Sequence, residues 1–172
     1  MKTLKFFGTV FIMVLATGCR LSTFTAQPGS PRAAFPIEMQ GNYQSVDKHK
    51  GGNDTFTLNI AETTTISNDK MFGKLLQLSD TTTLTHLGDF YFFNIRHNDN
   101  GVITWWTFPI LVKQDALYIF SLSQGKQQKK MEKYIKATGK SSGEYIMDNE
   151  PFKNYCEKHL KKRKAFKLKR IK

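Results

Sequence analysis

The four histidines, His49, His86, His97 and His159, share no metal-ligand spacing: there is no His-x-His, no His-Glu-x-x-His and no Cys-x-x-Cys. No metal site and no cofactor are therefore expected. Cys156 has His159 three residues on, but a catalytic thiol and its imidazole usually come from separate elements and are oriented by a third group. Two positions on one helix read as neighbours, and Cys156 reads as a packed thiol. Gly139-Lys140-Ser141-Ser142-Gly143 ends as a phosphate-binding loop does, yet Tyr134 stands where that loop's first glycine would fall and no buried strand leads into it. It is read as a turn. There is no Gly-x-Ser-x-Gly elbow, and Asp80, Asp89 and Asp99 fall where turns want them, so no catalytic residue is assigned.

Two groups of residues remain. The first is aromatic: Phe90-Tyr91-Phe92-Phe93 and Trp105-Trp106. Neighbours in a strand point to opposite faces, so one tryptophan faces the core and the other a second layer, a cavity or a partner. Tyr91, Phe93, Trp105 and Trp106 are thus the candidate ligand or partner surface, against the plainer reading of a sheet covered on both sides. The second group is basic. The chain carries a formal charge of +12, and nine of its 26 Lys and Arg residues lie in residues 158–172, where there is no acid. The rest of the chain is close to neutral. Lys161, Lys162, Arg163 and Lys164 are the candidate contacts to an anionic surface, such as anionic lipid or lipopolysaccharide phosphates; a solvated charged end is the alternative.

The elements that would position these groups are mostly strands. Residues 55–61 alternate Phe56, Leu58 and Ile60 against Thr55, Thr57 and Asn59, a half-buried strand by its period of two. Residues 42–46 and 74–79 are further strands. Residues 90–95 and 102–112 are apolar on both faces and joined through Asn100-Gly101, a hairpin signal, and residues 116–122 pair back after Lys113-Gln114-Asp115. A helix with a narrow apolar stripe is expected over 123–136 and a short strand at 145–147. A second helix starts at Asp148-Asn149-Glu150-Pro151, capped by Asp148, and runs to Leu160 with Phe152, Tyr155, Cys156 and Leu160 on one face. Residues 165–172 form a last strand with Phe166 and Leu168 inward, its lysines discouraging edge pairing between molecules. The fold class is mainly β with peripheral helices (α+β), an antiparallel meander whose closure into a barrel, in an arrangement resembling lipocalins, stays open.

The N-terminus announces export. Residues 1–5 carry Lys2 and Lys5, and residues 6–16 are eleven residues, apolar except for Gly8 and Thr9. That is too short for a hydrocarbon core about 30 Å thick, which takes ~20 helical residues, and fits a signal peptide. Leu15-Ala16-Thr17-Gly18-Cys19 resembles the lipobox of bacterial lipoproteins, with Ala16 where that family usually has Leu. The resemblance implies a signal peptide over 1–18, cleavage before Cys19, and lipidation of Cys19 with acyl chains such as palmitate. At ~0.8 kcal/mol per buried methylene, two chains make a stable anchor. Arg20 is not the Asp of inner-membrane retention, so the resemblance implies the outer membrane. The absence of acids after Cys19 favours the periplasmic side. Residues 20–37, with Pro28, Pro31 and Pro36 and no apolar period, read as a flexible tether of about 24 Å reach. The domain is then 38–172. With Cys19 acylated, Cys156 has no disulfide partner and packing alone holds the fold.

Leu78-Ser79-Asp80, the strand 89–94, Trp105-Trp106 and Leu117-Tyr118-Ile119 follow one another in an order similar to small lipoproteins of the Bacteroidota. That resemblance implies the compartment and a β-rich fold, and no activity. The function expected is that of a non-enzymatic binding or interaction module of the cell envelope, held by its lipid. The alternatives are a lipocalin-like carrier of an apolar ligand and an enzyme with a dispersed site. An exported, lipid-held protein seldom meets nucleic acid, so none is expected as partner.

Overall fold

The computed structural model describes residues 22–45, 56–67, 77–122, 126–139 and 143–171. The segment expected to be a signal peptide, Cys19, His49, Lys140-Ser141-Ser142 and most of the strand expected at 74–79 lie outside the described residues. The chain is mainly β, with a curled antiparallel half-barrel and two short helices. Among the described residues its 11-stranded sheet follows the order β2-β6-β7-β8-β9-β11-β3-β4-β5, ending on β5 (Thr65–Ser67), with β1 paired to β8 and β10.

The centre is a meander: β6 (Thr82–Leu87), β7 (Phe90–Asp99), β8 (Val102–Lys113) and β9 (Ala116–Ile119). Asn100 and Gly101 both take positive φ, 51° and 85°, the twist that a two-residue hairpin needs between right-twisted strands. Gln114 does the same at 50° between β8 and β9. Pro109 sits inside β8, where a missing N–H is normally costly. Its carbonyl accepts from the amide of Phe120, so its ring nitrogen faces the same edge. There the partner of β8 changes from β1, whose pairing reaches Trp106, to β9, whose pairing starts at Ile110. The missing donor coincides with a break in the ladder.

Alternation along these strands builds two cores. Phe90, Phe92 and Leu111 face one side, where α1 (Lys126–Met131), α2 (Asn149–Tyr155) and a π-helical turn (Cys156–Leu160) contribute Met131, Phe152, Tyr155, Cys156 and Leu160. Phe93, Ile110, Leu117 and Leu168 face the other, against Tyr43 of β3 (Gly41–Ser45), Leu58 and Ile60 of β4 (Thr57–Ile60), and Phe35 and Met39. The expected apolar face of the second helix is thus buried as read, although winding loosens to i→i+5 after Tyr155. The expected cap differs: Asp148 makes no side-chain cap bond, and the amide side chain of Asn149 instead accepts from Gly29 N at 2.9 Å.

Two expectations are corrected. Residues 22–37 are no free tether: β1 (Thr23–Phe24) lies between β8 and β10 (Glu144–Tyr145), and β2 (Ser30–Arg32) edges the sheet on β6. Phe24 is fully buried and Phe35 nearly so. Prolines removed the apolar period but not the two phenylalanines, and burial of an aromatic ring outweighs weak local propensity. The last strand, β11 (Phe166–Ile171), is no edge: it pairs with β9 on one side and β3 on the other. Its lysines therefore guard no open ladder.

Candidate functional site

The β6–β7 turn, Gly88-Asp89, sets the register that puts His86 opposite Tyr91. Period two turns both toward the second core's side, where their rings lie 4.6 Å apart. The turn at residues 37–39, leading into β3, brings Glu38 to them. The Tyr91 hydroxyl donates to Glu38 Oε1 at 2.6 Å, and Arg170 of β11 clamps the Glu38 carbonyl with Nη2 at 2.6 Å. Asp89 is held by an ion pair with Lys161, beyond the π turn. Glu38, His86, Asp89, Tyr91 and Lys161, with Lys113 at the end of β8, line an open cleft of about 590 Å³.

The charges in this cleft are largely satisfied by one another. The Tyr91 hydrogen bond is the main reason the Glu38 carboxyl lies below its ordinary pKa, with Arg32 and His86 adding to it. Burial, and then the same carboxylate, push the Tyr91 phenol up to about 12. The Lys161 hydrogen bond likewise lowers Asp89. A general acid or base works best with a pKa near the operating pH, and both pairings move their groups away from it. The cleft thus presents paired acceptors and donors of both charges.

The four aromatic candidates are not one surface. Tyr91, Phe93 and Trp106 share a face, since Phe93 pairs with Phe108 and Ile95 with Trp106, whereas Trp105 points the other way. Phe93 is 2% exposed and belongs to the core, which removes it as a contact residue. Trp106 stacks on His97 at 4.7 Å, and both tryptophans are half-buried. Val102 and Ile103, exposed at the hairpin end beside them, were not read from the sequence.

The four basic candidates diverge as well. Lys161 turns to Asp89, Arg163 interacts with Tyr155, and Lys162 contributes to the field at His159. Lys164 is exposed. Downstream, Lys167 covers the Tyr118 ring at 5.3 Å and Arg170 the Tyr43 ring at 5.4 Å. Residues 158–171 thus spread their charge over several faces.

Cys156 is fully buried, and burial drives its thiol far above the ordinary range. His159 Nε2 contacts the Tyr134 hydroxyl instead, at 3.1 Å. Among the described residues no group of three or more His, Cys, Asp or Glu side chains could hold a metal ion, and no helix is long and apolar enough to cross a membrane. Glu38 and His86 were not singled out from sequence. Gly88-Asp89 between two alternating segments was the available signal for His86, whereas nothing local points to Glu38. No family model, curated protein or solved structure matches this chain.

Proposed function

We propose that this chain is an envelope lipoprotein, acylated at Cys19 after removal of residues 1–18, and that its β-rich domain is a non-enzymatic binding module. The observation that carries the reading is in the sequence: a basic start, a largely apolar run of eleven residues, too few to span a bilayer, and Leu15-Ala16-Thr17-Gly18-Cys19. Ser22 and Phe24, three and five residues after Cys19, are buried, so the domain follows the proposed acylation site closely. The cleft between Glu38, His86 and Lys161 is the recognition site in this reading, and a polar ligand bearing both a donor and an acceptor suits its mixed charge. A carrier of an apolar ligand finds less support, because among the described residues both faces of the sheet carry packed side chains and the cleft sets charged groups beside Leu111 and Val112. The outer membrane, on its periplasmic side, is the location that goes with the lipobox and Arg20.

The test is metabolic labelling of the full chain with an alkyne-tagged fatty acid in a bacterial host, with detergent-phase partitioning. The expected result is a labelled, detergent-phase protein, and loss of label with Cys19→Ala. Secretion of an unlabelled, water-soluble product with a free thiol at its first residue would overturn the proposal.

A further inference from the structure

Two segments far apart in sequence build one lysine-rich face on the helical side of the molecule. Lys130 lies in α1 and Lys133 in the turn after it; Lys158 lies in the π turn and Lys162 just beyond. All four are exposed. His159 sits among them, its ring 5.4 Å from that of Tyr134 and 5.6 Å from that of Tyr155, while Lys158 Nζ lies 5.9 Å over the Tyr134 ring. Burial, and then the charges of Lys130, Lys158, Lys162 and Lys133, hold the imidazole below its ordinary pKa, so the four ammonium groups share one field. Of the neighbouring acids, Asp89 is paired with Lys161, Glu132 accepts from Gln128 at 2.9 Å and from the Tyr145 hydroxyl at 3.5 Å, and Glu157 Oε1 lies toward Gly88, so four lysines face two further carboxylates.

This face adjoins the place where the chain from Cys19 joins the sheet. Ser22 N donates to Leu122 O and Thr23 N to Gly143 O, each at 2.9 Å, and α1 starts four residues after Leu122. Phe24 packs on Tyr145 with ring centroids 5.8 Å apart, and the Tyr145 hydroxyl reaches Glu132, the residue before Lys133. Residues 19–21 span at most roughly 11 Å when fully extended. An acyl anchor at Cys19 would hold the start of the domain within roughly 11 Å of the bilayer, about one Debye length, where headgroup charge is still felt.

We propose that the lysine face formed by Lys130, Lys133, Lys158 and Lys162 around His159 rests on the anionic phospholipid headgroups of the bilayer that holds the Cys19 anchor. The inference rests on acylation at Cys19. The anchor supplies proximity and the lysines supply orientation, because each cation near an anionic surface is attracted to it. The cleft at Glu38 and His86 adjoins this face through Lys161, which lines it and pairs with Asp89.

The acylated full-chain product, reconstituted into vesicles of phosphatidylcholine alone or with phosphatidylglycerol, tests this by lysine footprinting with an amine-reactive ester and mass spectrometry. Labelling of the four lysines is expected to be about fivefold slower on the anionic vesicles, with Lys113 and Lys169 unchanged and the difference lost in high salt. In Lys130→Glu/Lys162→Glu, Lys133 and Lys158 should label at equal rates on both vesicles. The mass of the N-terminal peptide from the same samples reports acylation separately. An acylated protein whose four lysines label equally on both surfaces overturns this inference and leaves the lipoprotein reading standing. An unmodified Cys19 overturns both.

Discussion

Phe24 stands opposite Trp105 in an antiparallel pair of strands, with Tyr145 as its partner on the other side. A residue five places after Cys19 is thus the middle of a three-strand junction. If the segment were a tether, shortening its side chain would be silent. Phe24→Ala is expected to lower stability by about 3–5 kcal/mol, read from the urea midpoint of the chain. A change below about 0.5 kcal/mol, the scale of ordinary surface substitutions, would return residues 22–37 to a linker.

Asn94 is fully buried and has its side-chain amide satisfied on both ends. Nδ2 donates to Thr85 Oγ1 and to Phe92 O, both at 3.1 Å, and Oδ1 accepts from Thr107 Oγ1 at 3.0 Å. Asn94→Leu leaves the Thr107 hydroxyl without its acceptor, and a loss of about 2–3 kcal/mol is expected. Asn94→Asp brings a charge into the same place, so its destabilisation should shrink when the urea titration is repeated at low pH, whereas that of Asn94→Leu should not.

Gly29 has φ +71°, and a Cβ there would lie 2.2 Å from the backbone oxygen of His86. Gly29→Ala must push β2 off β6 and break the bond to Asn149. Faster amide exchange along Ser30–Arg32 and a loss above about 2 kcal/mol are expected. Gly101 also has positive φ, +85°, but open space around its Cβ, so Gly101→Ala should cost only the backbone strain, about 1 kcal/mol. Equal losses at the two sites would contradict the close approach at Gly29.

The Glu38–Tyr91 pair makes stability depend on pH in two windows. The Tyr91 phenol is raised from an ordinary value of 10 to about 12, so its contribution is complete below pH 10 and is lost as pH rises through about 12. The Glu38 pKa is lowered, so its contribution is present above the ordinary carboxyl range and is lost as pH falls below it; exposure of this carboxylate keeps that loss small. Glu38→Gln should let Tyr91 ionise at lower pH, though still above 10 because burial is the larger cause, as followed by ultraviolet absorbance of the phenolate. An unmoved tyrosine titration would contradict the pairing.

Cys156 should ignore a thiol reagent until the protein unfolds. Its labelling rate at neutral pH is expected to follow the population of open molecules, rising with urea and with Phe152→Ala, which opens the core around it. Prompt labelling of the native protein would contradict its burial.

The strands from Phe90 to Ile119 were legible because each signal there is local: alternation, apolar runs, Asn100-Gly101. The second helix was legible from Phe152, Tyr155, Cys156 and Leu160. β6 was not, since Thr82–Leu87 mixes threonines with one deep leucine, and its period shows only once Leu84 and Thr85 are seen buried on opposite faces. The cleft was illegible for a related reason. Glu38 and His86 belong to segments 48 residues apart in the chain, and only the pairing of β6 with β7 and the turn before β3 bring them together.

Local chemistry along the chain determined that this protein is made mostly of strands, that its second helix buries one face and that Cys156 packs; the resemblance of residues 1–19 to a lipoprotein export signal is local in the same way. Periodicity, turn residues and hydropathy act over a few residues, so they can be read without coordinates. Tertiary structure alone decided that Phe24 and Phe35 draw the supposed tether into the domain, that β11 lies inside the sheet between β9 and β3, and that the basic residues near the C-terminus part company. Those outcomes depend on which distant surfaces are free to bury a ring or complete a ladder, and no stretch of neighbouring residues carries that information.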